Sequence, residues 1–156
     1  NTFRSIPFVI LIALLIPLTR AIMGTAIGIK GAIVPLIFGT VPFLSRQIEN
    51  ALVEVDRGII EAAQSMGSSP IEIIFRVYLK EGLAGIIGAI TITFISLIGL
   101  TAIAGSVGGG GLGDLAIRYG YQRFQTDVTI VTVIILLIFV SIVQSIGNFL
   151  IKKISH

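Results

Sequence analysis

Hydrophobic residues fall into four long runs along the chain: Ser5 to Thr19, Gly31 to Ser45, Gly82 to Gly113, and Val128 to Ile151. The last two contain no charged residue. A helix needs about 20 predominantly apolar residues to cross a hydrocarbon core roughly 30 Å thick, because it rises about 1.5 Å per residue. The third and fourth runs meet that length outright. The first reaches Ile22 if Arg20 snorkels to the interface, and the second reaches Leu52 if its Arg46 end faces other protein. Val128 to Val143 is rich in Ile and Val, as a buried strand would be. A membrane strand, however, belongs in a closed barrel and alternates polar with apolar residues, and no alternation is visible here. The pattern predicts an all-α polytopic bundle, one transmembrane domain over residues 1–156, with spans near 5–22, 31–52, 82–105 and 128–151 and a polar loop near 53–81.

Composition agrees with lipid as the solvent: 54% of the residues are hydrophobic and only 12% charged, against about 25% charged in soluble domains. Four spans place both ends on one side of the membrane. Arg4, the Arg46–Glu81 loop and Lys152–Lys153 then share that side, and with it seven of the eleven Lys and Arg. The positive-inside bias makes it the cytoplasm. The chain opens on Asn1 and not on Met, directly before an apolar run, so a further N-terminal piece is expected to precede it; the start lacks the charged region and the small-residue cleavage site of a signal peptide.

The small and ring-forming residues fit helix packing. Ala84, Gly85, Gly88 and Ala89 form overlapping small-xxx-small pairs that allow backbones to approach. Pro7, Pro17, Pro35 and Pro42 lie in or beside the first two spans, where neighbouring helices can satisfy freed carbonyls.

The polar loop carries the clearest local signals. Asp56 is a candidate N-cap for a helix over Arg57 to Met66, and Gly67 supplies the left-handed residue that ends it. Ser69 is then an N-cap, Pro70 stands at N1, and Glu72 at N3 completes a capping box for a second helix running to about Leu79. Ile59, Ala63 and Met66 fall on one face at helical spacing, with Ala62 beside them. That face either packs on the ends of the spans or seats in a groove of a partner, with Glu61 offering a charge to pair. A helix pair with Gly at its turn also resembles a DNA-binding helix-turn-helix. Charge excludes nucleic acid as the partner: Arg46 to Glu81 holds four basic and six acidic residues, and Ile71, Ile73, Ile74 and Phe75 stand where base-reading donors should be.

Candidate chemistry is sparse. The chain has no Cys and one His, His156 at its end, which removes Cys-based metal sites and leaves a single terminal imidazole, a poor candidate for hydrolytic or zinc chemistry. Neither a Ser–His pair nor two Asp lie at membrane depth, which disfavours an intramembrane protease. No charged group lies in the middle of any span, where ion-coupled transporters keep one. Gly105 to Gly113 contains six glycines, but it ends in Leu112-Gly113-Asp114 and not in the Gly-Lys-Ser or Gly-Lys-Thr of a phosphate cradle. The run is either a flexible outer turn or a hinge at the end of the third span, since broken helices in transporters line the path. Ser96, Thr101, Ser106, Tyr119 and Tyr121 are the candidate path or gate residues. A passive channel would need a polar ring, for which Thr91, Thr93, Ser96 and Thr101 are the only polar residues along the third span.

Glu61-Ala62-Ala63, three residues, Gly67, nine residues, then Val77-Tyr78-Leu79 resembles the EAA motif of permease subunits in ATP-binding-cassette importers. Val77 replaces the usual Ile, and Lys80 stands where Pro is usual. Arg4-Ser5-Ile6-Pro7-Phe8, Pro42-Phe43, Glu49-Asn50-Ala51-Leu52 and Gly108-Gly109-Gly110-Gly111-Leu112-Gly113-Asp114 to Tyr119-Gly120-Tyr121 are similar to the methionine-importer permeases. The resemblance implies a non-catalytic subunit in a bacterial cytoplasmic membrane, and a homodimer resting on two ATPase subunits. ATP and magnesium would be bound by those partners and not by this chain, and an extracytoplasmic methionine-binding protein would deliver D- or L-methionine. Gly58, Ile59, Glu61, Ala62, Ala63, Met66, Gly67 and Pro70 would then form the coupling element. Such permeases usually have five spans, so one would lie before Asn1. A permease of the same type for another small solute is the alternative.

Overall fold

The computed structural model describes residues 6–154. Asn1, Arg4, Ser5 and His156 lie outside the described residues, and with them the start of the first expected span. Among the described residues the chain is helical and contains no strand. Three helices are long and apolar enough to cross a membrane: Gly28–Val53 (α3), Leu83–Gly109, whose regular part is Leu83–Ala104 (α7), and Thr126–Ile154 (α9). Their 26, 27 and 29 residues correspond to about 39, 41 and 44 Å of helix.

Burial shows what solvent these helices expect. Only Thr132 and Gly147 of α9 are buried, while most of its Ile, Leu and Phe side chains face outward, Leu136 and Ile151 being half-buried. An exposed apolar surface of this extent is stable only against lipid or another subunit. The packed centre is the line where α7 lies between α3 and α9, and small residues make that closeness possible. A Cβ on Gly85 would stand 3.0 Å from Ala51 Cβ on α3, and one on Gly147 would stand 2.6 Å from Thr91 Cγ2 on α7. The small-residue pairs expected from the sequence therefore serve two contacts, Gly85 toward α3 and Gly88 toward Ile151 on α9. Thr93 and Thr132, both buried, donate their hydroxyls to the carbonyls of Ala89 and Val128 four residues earlier.

The first apolar run differs from the single span expected over 5–22. It forms two short helices, Phe8–Leu14 (α1) and Ile16–Met23 (α2), which meet at Leu15 with φ −87° and ψ 3°. Pro17 is the physical reason. It has no N–H to give the Ala13 carbonyl and its ring crowds that oxygen, but it is tolerated in the first turn of a new helix. Neither half is long enough to cross a membrane alone. Gly24, at φ 74°, ends α2 and donates its N–H to the Arg20 carbonyl. Pro35 and Pro42, in contrast, are accommodated inside α3 without breaking it.

The glycine-rich run starts as helix and leaves helical geometry at Val107 (φ −105°, ψ 22°) and Gly108 (φ 96°, ψ 10°). The chain continues from α7 through Gly105 and Ser106 and then reverses at Gly108, Gly110 and Gly111, all at positive φ. It then re-enters as Gly111–Asp114 (α8), continued by a wide turn over Leu115–Tyr121. The reversal needs glycine for space as well as dihedral freedom: a Cβ on Gly105 would lie 2.6 Å from the Asp114 nitrogen and 2.7 Å from the Gly110 oxygen. Gly113 packs on the Ala102 backbone and Gly120 on Thr129, so this segment lies in the angle between α7 and the start of α9.

Candidate functional site

The polar loop folds into a corner of two helices, each end fixed by short-range capping bonds. Arg57–Ser65 (α4) begins at Asp56, whose Oδ1 accepts the Gly58 N–H at 2.7 Å. At the other end Ser68 N donates to Ala63 O at 3.1 Å and Gly67 N to Gln64 O at 2.9 Å, with Gly67 at φ 81°. These two bonds are a Schellman closure, which satisfies carbonyls the helix leaves open. The next helix, Pro70–Ile73 (α5), starts with the capping box. Ser69 N donates to Glu72 Oε2 at 2.9 Å, and Glu72 N donates to Ser69 Oγ at 3.3 Å. The backbone N–H and hydroxyl of Ser69 hold the Glu72 carboxyl below the usual carboxylate range, with Arg76 at 3.9 Å adding to the effect.

From α5 the chain continues helically through a wide turn over Ile74–Tyr78 and then Leu79–Glu81 (α6) to Gly82, directly below α7. The expected regular helix to Leu79 is thus wide over its second half. Lys80, where the motif usually has Pro, lets the helix run on. Gly82 is buried; a Cβ there would stand 3.1 Å from Leu52 and 3.4 Å from Val55. The corner is thereby connected to α7 by helix and to the end of α3 by close packing.

The face expected to comprise Ile59, Ala62, Ala63 and Met66 divides. Ala63 is buried within the corner at 8% exposure, whereas Met66 is 82% exposed and Ile59 42%. Glu61 and Ala62 are also exposed, and the Glu61 carboxylate has no ion-pair partner among the described residues. Gly58, Gly67 and Pro70 sit at the surface, where they serve the helix ends. Sequence reasoning missed Ile71 and Phe75, which extend the exposed apolar surface along α5 and the turn after it. Ile74 is exposed beside them, and because Ile71, Ile73, Ile74 and Phe75 are all apolar the sequence carries no signal that sets buried Ile73 apart. Beneath the corner a cleft of about 430 Å³ separates it from α3, lined by Ser45, Leu52, Val55, Ile60 and Tyr78.

The candidate path residues do not converge. Ser96 opens on a cleft between α1, α3 and α7. Thr101 lines a separate one, about 190 Å³, with Leu112, Leu136 and Phe139. Thr101 and Ser106 each donate to a carbonyl three residues earlier, on Ile98 and Ile103. Tyr119 carries the Arg123 guanidinium over its ring at 4.5 Å, and Tyr121 is exposed. Beside them Arg118 pairs with Asp114 at 3.0 Å. No cluster of metal-ligating side chains occurs among the described residues.

Known proteins share this architecture. A family described as "Binding-protein-dependent transport system inner membrane component" matches residues 1–156. A protein of Vibrio cholerae named "Probable D-methionine transport system permease protein MetI" is 50% identical over the whole chain, which spans 69% of that protein. The D-methionine transport system permease protein of Escherichia coli K12 is 52% identical over 87 residues, 56% of this chain and 40% of its own length. Among solved structures, a chain of the MetNI methionine transporter in an inward-facing conformation superposes with a TM-score of 0.95 at 44% identity, covering all of this chain and 72% of the other. The polytopic helical bundle with its projecting corner belongs to the family of inner-membrane components of binding-protein-dependent transport systems.

Proposed function

We propose that this chain is the membrane-spanning, non-catalytic subunit of an ATP-driven methionine importer in a bacterial cytoplasmic membrane, with the α4–α5 corner and the C-terminus in the cytoplasm. Two copies pair, each resting on an ATPase subunit that binds ATP and magnesium, and an extracytoplasmic binding protein delivers methionine. The observation that carries this reading is the corner itself. Ile59, Met66, Ile71 and Phe75 are exposed on it together with Glu61, which has no ion-pair partner among the described residues, on an element with both helix ends tied down. A capped knob that presents apolar side chains beside a carboxylate at the end of the spans suits a groove on a partner, and the likeness to the MetNI transporter supports an ATPase as that partner. Movement of the corner would pass through Gly82 to α7 and α3, so that ATP-driven closure switches access from one side to the other.

Co-purification tests it. The full-length protein, expressed with its ATPase and purified in detergent, should bring the ATPase down, and Glu61→Lys should weaken that association. Methionine with its binding protein should raise the ATPase rate. A complex that forms but ignores methionine would keep the importer and discard the substrate. A Glu61→Lys complex purified intact at full activity would refute the charge pairing.

A further inference from the structure

Five hydroxyl side chains lie along Leu83–Gly109, and four of them are taken up by their own helix. Thr91, Thr93, Thr101 and Ser106 donate to the carbonyls of Ile87, Ala89, Ile98 and Ile103. Ser96 makes no such bond among the described residues. It opens on a cleft of about 390 Å³, within the range of about 300–1,000 Å³ typical of small-molecule sites. The other walls of that cleft are apolar and aromatic: Phe8 from α1, Phe38 and Phe43 from α3, and Leu100 from α7. Gly39 lets the Phe8 ring close against α3, since a Cβ there would stand 3.3 Å from that ring. Ser96 is midway along its helix, roughly 20 Å from either end at about 1.5 Å per residue. A polar group at that depth that does not bond its own backbone needs another partner.

Alternatives on the same helix offer less. The groove between α7 and α9, about 360 Å³, presents only Thr91, whose hydroxyl is already committed to Ile87. We infer that the Ser96 cleft receives the side chain of methionine in transit, with the Phe8, Phe38 and Phe43 rings around the thioether and the Ser96 hydroxyl on the polar end of the molecule. A flexible, polarisable thioether is drawn to ring edges, and a mostly apolar cavity with one well-placed polar group is how small-molecule sites obtain orientation. This inference rests on methionine being the solute, as proposed above.

Residues 1–156 contain no Cys, so Ser96→Cys is the one thiol among them, at nearly the native size, and its adduct is assigned by its own peptide. The full-length protein with its ATPase and binding protein would be reconstituted in vesicles, treated with N-ethylmaleimide, and the adduct on this chain read by mass spectrometry. Ile90→Cys, which faces the α7–α9 groove, reports reagent access away from the cleft. The expected result is labelling of both variants, with methionine under turnover slowing it several-fold in Ser96→Cys and leaving Ile90→Cys unchanged. If methionine is taken up but Ser96→Cys is unlabelled, unprotected, or protected no more than Ile90→Cys, the cleft is not its site. If Ser96→Cys does not assemble, Leu100→Cys on the same wall is read by the same criteria. If the unmodified complex takes up no methionine at all, the proposed solute is wrong and this occupant falls with it.

Discussion

Replacing Gly67 isolates the backbone of the corner from its packing. Gly67 lies at φ 81°, and a Cβ at that position would meet nothing within 4 Å. Any cost of a side chain there is therefore conformational and not steric crowding by neighbours. For an L residue with a Cβ the left-handed region costs about 1–2 kcal/mol, with Asn cheaper because its side chain bonds locally and β-branched residues worse. The penalty falls on the Schellman closure, Ser68 N to Ala63 O and Gly67 N to Gln64 O, which sets the angle between α4 and α5. If the ATPase recognises only the closed corner, Gly67→Ala should weaken its association by about 5- to 30-fold, since about 1.4 kcal/mol is tenfold. Gly67→Val should weaken it further and Gly67→Asn less. The assay is titration of the purified ATPase onto the permease in nanodiscs, with methionine uptake measured in parallel. Equal affinities for Gly, Ala and Val would show that the closure does not limit docking. Asn as poor as Val would show that the cost comes from space and not from φ.

Three further outcomes follow from other contacts. Gly147→Ala places a methyl 2.6 Å from Thr91 Cγ2 and 2.9 Å from its Cβ, so monodisperse protein in size-exclusion chromatography should fall, and Thr91→Ala should partly restore it. Gly105→Ala meets backbone atoms of Asp114 and Gly110, which cannot rotate away; uptake should be lost while the ATPase still co-purifies, because the change is far from the corner. The third concerns pH. The Glu72 carboxyl is held below its usual value of 4.5 by Ser69 and Arg76, so its capping contribution is complete above about pH 4.5 and is lost as pH falls through the lower folded value. Ser69→Ala removes the hydroxyl but keeps the backbone N–H that does most of the lowering, so it should weaken that acid dependence without abolishing it, as followed by the Glu72 carboxyl resonance in isotope-labelled protein.

What was legible in the sequence follows the range of each interaction. The corner was readable residue by residue because caps are local: Asp56, Gly67, Ser69, Pro70 and Glu72 act on backbone groups within three or four positions. The three long spans were readable because lipid imposes a length. Contacts across the fold were not readable in this way. Ala63 and Met66 share a helical face by spacing, yet Ala63 points into the corner and Met66 away from it, because α5 covers part of that face. The break at Leu15 had its signal in Pro17, but proline is tolerated within α3 at Pro35 and Pro42, so the residue alone does not decide. The glycine run bore no sign of its re-entry, which depends on Gly113 meeting Ala102 and Gly120 meeting Thr129. Phe8, Phe38 and Phe43 are distributed over two helices, and only folding brings them together opposite Ser96.

The central claim is that this chain forms the path of an ATP-driven methionine importer. The most direct measurement is uptake of radiolabelled methionine into vesicles holding the full-length protein and its ATPase, with the binding protein on the outside and ATP and magnesium within. Methionine should accumulate only with ATP, the ATPase and the binding protein together, and should fail to accumulate with Gly67→Val while the protein remains in the membrane. Uptake that proceeds without ATP or without the ATPase would contradict it and make the bundle a passive channel.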